Sequence, residues 1–396
     1  MQKKFLKAGI LIDGTGKDPL KNKGIVIEEG KIVKIQGIED VPEDCVVYDY
    51  SNQTVMPGMI NSHIHLDMEP IADPVKRYKE LNDVEKMIGC LNRLEDYLNS
   101  GVTYVRSLGG ENYFDVKFRD AIKKGMIKGP GISCAGPNLC MTGGHGWFMG
   151  LECDGPEECR KASRTVIKNG ADCVKFMATG GVMTPNVEPG SQQFSFEEMK
   201  AIVDEAHNAG KRTATHAQGE HGILDAVKAG VDSVEHGIFL TDEIIEMMIA
   251  KGTFLVPTLA APYYIFTNGI EAGIPSYAVK KAEAVAQSHI ESFKNAYKAG
   301  VKIALGTDSG TPLNPHDGTW FELKLMVDCG VSPSDAIVYA TKNAAELLSI
   351  DNLYGTIEIG KMADIIVVDD NPLDNIQTLS DIKATFKHGE LHCKSK

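Results

Sequence analysis

Six side chains able to bind a divalent metal or carry a proton are spread widely along the chain. His63 and His65 stand one residue apart in "MPGMINSHIHLD", Lys175 lies in "DCVKFMATG", His216 in "RTATHA", His236 in "SVEHG" and Asp308 in "KIALGTD". Each falls at or near the end of a short apolar run. If those runs are strands, alternate side chains share a face, and the His63 and His65 rings point the same way. On a solvent face that pairing would mean little; inside a barrel it would be half of a metal site. Imidazole and carboxylate donors suit a zinc-type cation. Lys175 is the odd member, because an ammonium repels a cation and ordinarily titrates at about 10.4.

The elements that must position these groups follow from the rhythm of the chain after Pro57. Eight short apolar segments alternate with helical ones, at 59–66, 103–109, 131–136, 172–180, 212–217, 233–237, 253–259 and 302–308. The clearest helix is "SFEEMKAIVDEAHNAG": Ser195 caps it, Glu198 completes a capping box, Met199, Ile202, Val203 and Ala206 form its apolar stripe, and Gly210 ends it. Another starts with Ser332 as cap and Pro333 at the first helical position. Eight strand–helix alternations predict an α/β fold, a (β/α)8 TIM barrel, whose usual size is ~250 residues. A doubly wound sheet would show a glycine-rich fingerprint after its first strand, and none is present. Chemistry in such a barrel sits at the C-terminal strand ends, where the six groups converge.

Both chain ends read differently. Residues 1–57 are short strands separated by turn pairs such as Asp13-Gly14 and Glu29-Gly30, and the C-terminus returns to strand character in "GTIEIGKMADIIVVD" and "DIKATFKHGELH". The expected organisation is a composite β-sandwich domain of residues 1–57 plus 355–396 beside a catalytic barrel of residues 58–354. At 396 residues, 43% hydrophobic and 24% charged, the composition is that of a globular protein. A formal net charge of −13 argues against nucleic acid or an anionic membrane as partner. No run approaches the ~20 apolar residues of a membrane span, and the N-terminal run is too short for a signal peptide. Nine cysteines without a CxxC pair fit a reduced, mostly buried set. A cytoplasmic homo-oligomer acting on a small molecule is the expectation.

The order HxH, Lys, His, His, Asp, on segments 1, 4, 5, 6 and 8, resembles the binuclear amidohydrolase superfamily. "NAAELL" followed by "YGTIEIGKMADIIVVDDNPLDNI" is similar to that superfamily's C-terminal signature, and the likeness covers essentially the whole chain. "VKFMATGGVMTP" and "VEHGIFL" are similar to the Xaa-Pro dipeptidase-like and imidazolonepropionase-related branch. The resemblance implies two divalent ions, with zinc expected, and a Lys175 carboxylated by CO2 that bridges them. It implies that His63, His65 and Asp308 hold the more buried ion, and His216 and His236 the more exposed one. It further implies attack by a metal-bridging hydroxide, with Asp308 as general base and then acid.

Weaker candidates surround this set. His145, in the "TGGHG" loop after segment 3, faces the substrate or anchors its loop. Arg106, at the end of segment 2, could bind a substrate carboxylate in bidentate fashion or form an ion pair within the barrel. Tyr263 and Tyr264 follow segment 7 and would shape the pocket or pack. Gln218 stands two residues after His216, where some prolidase-like members have a tyrosine that helps bind the substrate carboxylate. That departure leaves the metal chemistry intact and the proline preference open. His221, in "QGEHGILDAVKAG", reads as a surface or helix-start residue, and His207, His289, His388 and His392 carry no assignment.

Amide hydrolysis of a dipeptide or N-acyl amino acid is the first reading. A cyclic amidohydrolase or a deaminase acting on a small heterocycle is the alternative; mononuclear deaminases of the superfamily usually lack the lysine. A catalytically dead scaffold would have lost metal ligands, whereas this chain keeps all six.

Overall fold

The structure, a computed structural model, describes residues 2–394. Seven strands from the two chain ends share one sheet. Their spatial order is Glu390–Lys394, Ala384–Lys387, Ile365–Val368, Cys45–Pro57, Lys3–Leu11, Leu20–Glu28 and Lys31–Gly37. The turn at Glu29-Gly30 has positive φ at both residues, 50° and 78°, which matches the twist of a tight hairpin. A two-sheet sandwich was expected; the strands instead make one continuous sheet that curls. Its edge strand meets the segment before Ile365, with Ile32 N–H donating to Lys361 carbonyl (2.9 Å) and Ala363 N–H to Gly30 carbonyl (2.8 Å). The curl encloses a core of Leu6, Ile25, Ile365, Val367 and Phe386, all fully buried. Each such side chain contributes about 1.5–3 kcal/mol through burial.

The middle of the chain forms parallel sheets in a TIM-barrel-like α/β arrangement. Met59–Ile64, Val102–Ser107 and Gly131–Cys134 make a three-stranded ladder. Asn138–Cys140, Cys173–Met177, Arg212–Ala217, Ser233–His236 and Phe254–Val256 make a second one, with Gly150–Glu152 at its edge. Asp172 N–H donates to Cys134 carbonyl (2.7 Å) and joins the two. The eighth segment, 302–308, runs between the first and seventh strands without forming a ladder. It is held by isolated bridges, Leu255 with Ile303 and Ile64 with Ser309, and by backbone hydrogen bonds such as Leu255 N–H to Lys302 carbonyl (2.8 Å) and Ser62 N–H to Leu305 carbonyl (2.8 Å). At its end Asp308 has φ 59°, which turns the backbone out of the extended range.

Helices cover the sheets, so strands such as Cys173–Met177 are buried at every residue. The Phe196–Asn208 helix carries the expected capping box, with Glu198 N–H donating to Ser195 Oγ and Ser195 N–H to Glu198 Oε2. Ser332 caps the Pro333–Tyr339 helix as expected. Cys45 and Cys329 are free and half-buried, and Cys90, Cys134, Cys140, Cys153, Cys159 and Cys173 are free and buried. No helix among them is long and apolar enough to cross a membrane.

Candidate metal centre

The first strand delivers His63 and His65 to one face, and the left-handed turn at Asp308 brings its carboxylate to them. Asp308 Oδ1 lies 3.3 Å from His63 Nε2 and 3.2 Å from His65 Nε2. One ligand atom from each of the three falls within 4.8 Å of the others. His236 continues the cluster, its ring 5.3 Å from that of His63 and 4.5 Å from that of His216. Lys175, 1% exposed, lines the same cavity. All six groups expected from the sequence are therefore brought together.

Pleating alone would separate Glu235 and His236 onto opposite faces. The φ of 71° at His236 ends the pleat there, so both side chains reach the centre. Glu235 was missed in the sequence. Its signal was a lone acidic residue inside a segment that reads as a barrel strand, a charge that must find partners once buried. Glu235 Oε2 accepts from His63 Nδ1 at 2.8 Å, and Oε1 accepts from Arg106 at 2.9 Å and from Ser233 Oγ at 2.5 Å.

Each imidazole is fixed by an acceptor on its far nitrogen. His63 Nδ1 meets the Glu235 carboxylate, and His65 Nδ1 meets Gly109 carbonyl at 3.4 Å. His216 Nε2 meets Gly180 carbonyl at 3.2 Å. His236 Nδ1 meets Thr258 Oγ1 at 2.7 Å; that hydroxyl already donates to Pro257 carbonyl, so the imidazole is the donor. The remaining nitrogen of every ring carries a lone pair. At His63 and His65 those lone pairs face an Asp308 oxygen, an arrangement that a cation between them stabilises. Second partners of this kind set the tautomer of metal-bound histidines, so the residues present fit a metal.

The electrostatics agree. Burial, with Lys175 nearby, lowers His63 to about 4. Burial and neighbouring imidazoles hold His216 well below its ordinary value, and burial does the same to His236. Neutral imidazole is the ligating form. Burial would raise Asp308, but positive charge at His63, His65 and His236 outweighs it and lowers the carboxyl, a part that a cation held by the neutral imidazoles would take over. Burial lowers Lys175 to about 8, against the pull of Glu235 and Asp308.

The other candidates separate. His145 and Gln218 line the cavity, a space of about 760 Å³ including its open mouth. His145 stands 4.3 Å, ring to ring, from His216, and its Nδ1 meets Thr184 Oγ1 at 2.8 Å. Arg106 does not line the cavity. It is 1% exposed and committed to Ser62 carbonyl, Ser233 and Glu235, so the barrel ion pair holds and the carboxylate-binding expectation is corrected. Tyr263 and Tyr264 are half-buried and pack on Phe321, with ring centroids at 5.0 and 5.3 Å, also away from the cavity. His289, unassigned from sequence, does line it, with Nε2 donating to the carbonyls of Pro257 (2.7 Å) and His236 (3.1 Å).

Comparison with known proteins points the same way. A family model described as the amidohydrolase family matches residues 54–392. Ochratoxinase of Aspergillus niger is 33% identical over 429 aligned positions, covering 98% of this chain and 86% of that protein. A crystal structure of a Xaa-Pro dipeptidase with methionine in its active site superposes with a TM-score of 0.91. It is 33% identical and covers 98% of this chain and 99% of its own. Imidazolonepropionase of Clostridium tetani is 23% identical, covering 88% of this chain and 85% of that one.

Proposed function

Because the chain belongs to the amidohydrolase family, we propose that it hydrolyses an amide bond of a small substrate, a dipeptide or N-acyl amino acid. The observation that carries this reading is the convergence of His63, His65 and Asp308 ligand atoms with His216, His236 and Lys175 in one mostly apolar cavity. The dipeptidase likeness supports a peptide-like amide as substrate.

In this reading His63, His65 and Asp308 would hold one divalent ion and His216 and His236 a second, with Lys175 carboxylated between them. Zinc suits this donor set. Such ions supply Lewis acidity and lower the pKa of water toward ~7. A lysine titrating at about 8 keeps enough neutral amine to take up CO2. Asp308, ionised in the folded protein, accepts the proton of the attacking water and returns it to the leaving nitrogen. Glu235 holds the His63 ring, and Arg106 holds Glu235. His145, beside His216, would contact the substrate carbonyl. The eight parallel segments would close as one catalytic barrel of residues 58–354, flanked by a domain of residues 1–57 and 355–396.

Similarity to imidazolonepropionase favours hydrolysis of a cyclic amide as the second reading. Zinc-loaded protein assayed against dipeptides, N-acyl amino acids and cyclic amides, beside a chelated control, separates the two. Turnover confined to cyclic substrates would replace the first reading with the second.

A further inference from the structure

We propose that Gln218 determines which amides the cavity accepts, pairing through both ends of its carboxamide with a second, neutral amide group of the substrate. The inference rests on the amide-hydrolase reading above and narrows its substrates from the free acids named there to their neutral amides. Gln218 is 5% exposed and lines the cavity. Its backbone is pinned on both sides, N–H donating to Thr179 Oγ1 at 3.0 Å and the carbonyl accepting from Phe239 N–H at 3.0 Å. The side chain is different. Its Oε1 is buried with no donor, and no hydrogen bond closes on its Nε2 among the described residues.

Buried polar atoms are nearly always paired, so an unpaired carboxamide in a substrate cavity marks a contact made by the ligand. Its chemistry defines the partner. A carboxylate offers acceptors alone and would leave Oε1 unmet; an ammonium offers donors alone and would leave Nε2 unmet. Another amide supplies one of each. A half-turn of the Gln218 head exchanges the two atoms and leaves that complement unchanged.

The rest of the lining argues against a free carboxylate. Among the described residues Lys175 is the one lysine or arginine in the cavity wall. Arg106 is spent on Glu235, and Lys281 donates to the carbonyls of Thr184 and Val187. Met149, Met177, Val182, Met183, Ile265 and Val285 make an apolar wall. Thioethers in such a wall adapt to bulky groups of varied shape. The fitting substrate is a neutral amide with a large apolar group and a carboxamide near the scissile bond, such as an N-acyl amino acid amide.

The test compares N-benzoyl-L-phenylalaninamide with N-benzoyl-L-phenylalanine on zinc-loaded wild type, Gln218→Leu and Gln218→Glu. Calorimetry with the Asp308→Asn variant reads binding of the same pair apart from turnover. The expected result is a kcat/KM at least tenfold higher for the amide in wild type, matched by tighter binding. Gln218→Leu should lose that preference mainly through KM, and Gln218→Glu, which offers acceptors alone, should lose it as well. A wild type that prefers the acid, an amide that binds no tighter, or a Gln218→Leu variant that keeps the preference overturns the proposal. Absence of turnover with both compounds counts against the amide-hydrolase reading, while the binding comparison still judges Gln218.

Discussion

Three side chains of the site sit on left-handed backbone that non-glycine residues seldom adopt: His236 at φ 71°, Thr258 at 53° and Asp308 at 59°. Each costs about 1–3 kcal/mol, a cost that persists where the surroundings fix the geometry and function uses it. Asp308 is the most exacting of them, since its carboxylate must both face His63 and His65 and carry a proton. Asp308→Asn keeps the size and removes the charge. We expect kcat to fall by ~10²–10⁴-fold with the circular dichroism spectrum unchanged; retention of more than a tenth of wild-type kcat would reject the role. Lys175 is tested through metal content. Lys175→Ala should lose bound metal and activity, and acetate at high concentration should restore part of both by supplying a carboxylate in the vacated space. Acetamide, equal in size and neutral, should not. Full metal occupancy in the folded variant without added acid would rule out the bridge.

Element by element, the helix ends show what single-chain chemistry dictates. Asp232, between the Glu220–Ala229 helix and the strand that starts at Ser233, is a half-buried carboxylate that ties neighbouring units together. It accepts from Thr213 N–H (2.8 Å), Arg212 (2.6 Å) and His207 Nε2 (2.8 Å). Burial alone would raise it, but His207, Arg212 and Thr213 hold it at about 2 against an ordinary 3.8. The folded carboxyl therefore binds its proton less readily than the unfolded one. Its stabilisation, about 2 kcal/mol, is present above pH ~4 and lost as pH falls toward ~2. The hydrogen bond to Asp232 raises His207, so its share is present below its ordinary 6.5 and fades as pH rises through the folded value. Asp232→Asn should lower the urea midpoint most between pH ~4 and ~6, with the gap closing below pH 3; a gap independent of pH would refute this. Patterns within one segment, such as the Ser195–Glu198 box, were legible in the sequence because both partners lie a turn apart. The His207–Asp232 pair was not, because its members belong to successive units. Nor was the choice for Arg106, since only the fold puts Glu235 within its reach. Nor does strand alternation alone bring Glu235 to the same centre as His236, where the left-handed residue lets neighbours converge.

Across the whole molecule, the eighth segment joins its neighbours by isolated bridges and separate backbone hydrogen bonds, while strands such as Cys173–Met177 and Arg212–Ala217 share a full ladder. The expected metal ligands straddle that join, His63 on the first strand with His65 just past its end, and Asp308 at the end of the eighth segment. An ion held by all three would cross-link the two through side chains, beyond their backbone hydrogen bonds. Binding to the folded state alone stabilises it by about 4 kcal/mol when the ligand stands a thousandfold above its Kd. Removing metal with a chelator should therefore lower the thermal midpoint, and restoring zinc should recover it. The place of the loss matters more than its size. Hydrogen exchange in the chelated protein should rise first in residues 59–66 and 302–309, because their protection depends on the ion. The curled terminal sheet, with its own core around Leu6 and Phe386, should keep its protection. An unchanged midpoint, or a rise confined to the terminal sheet, would show that the ion does not hold the join.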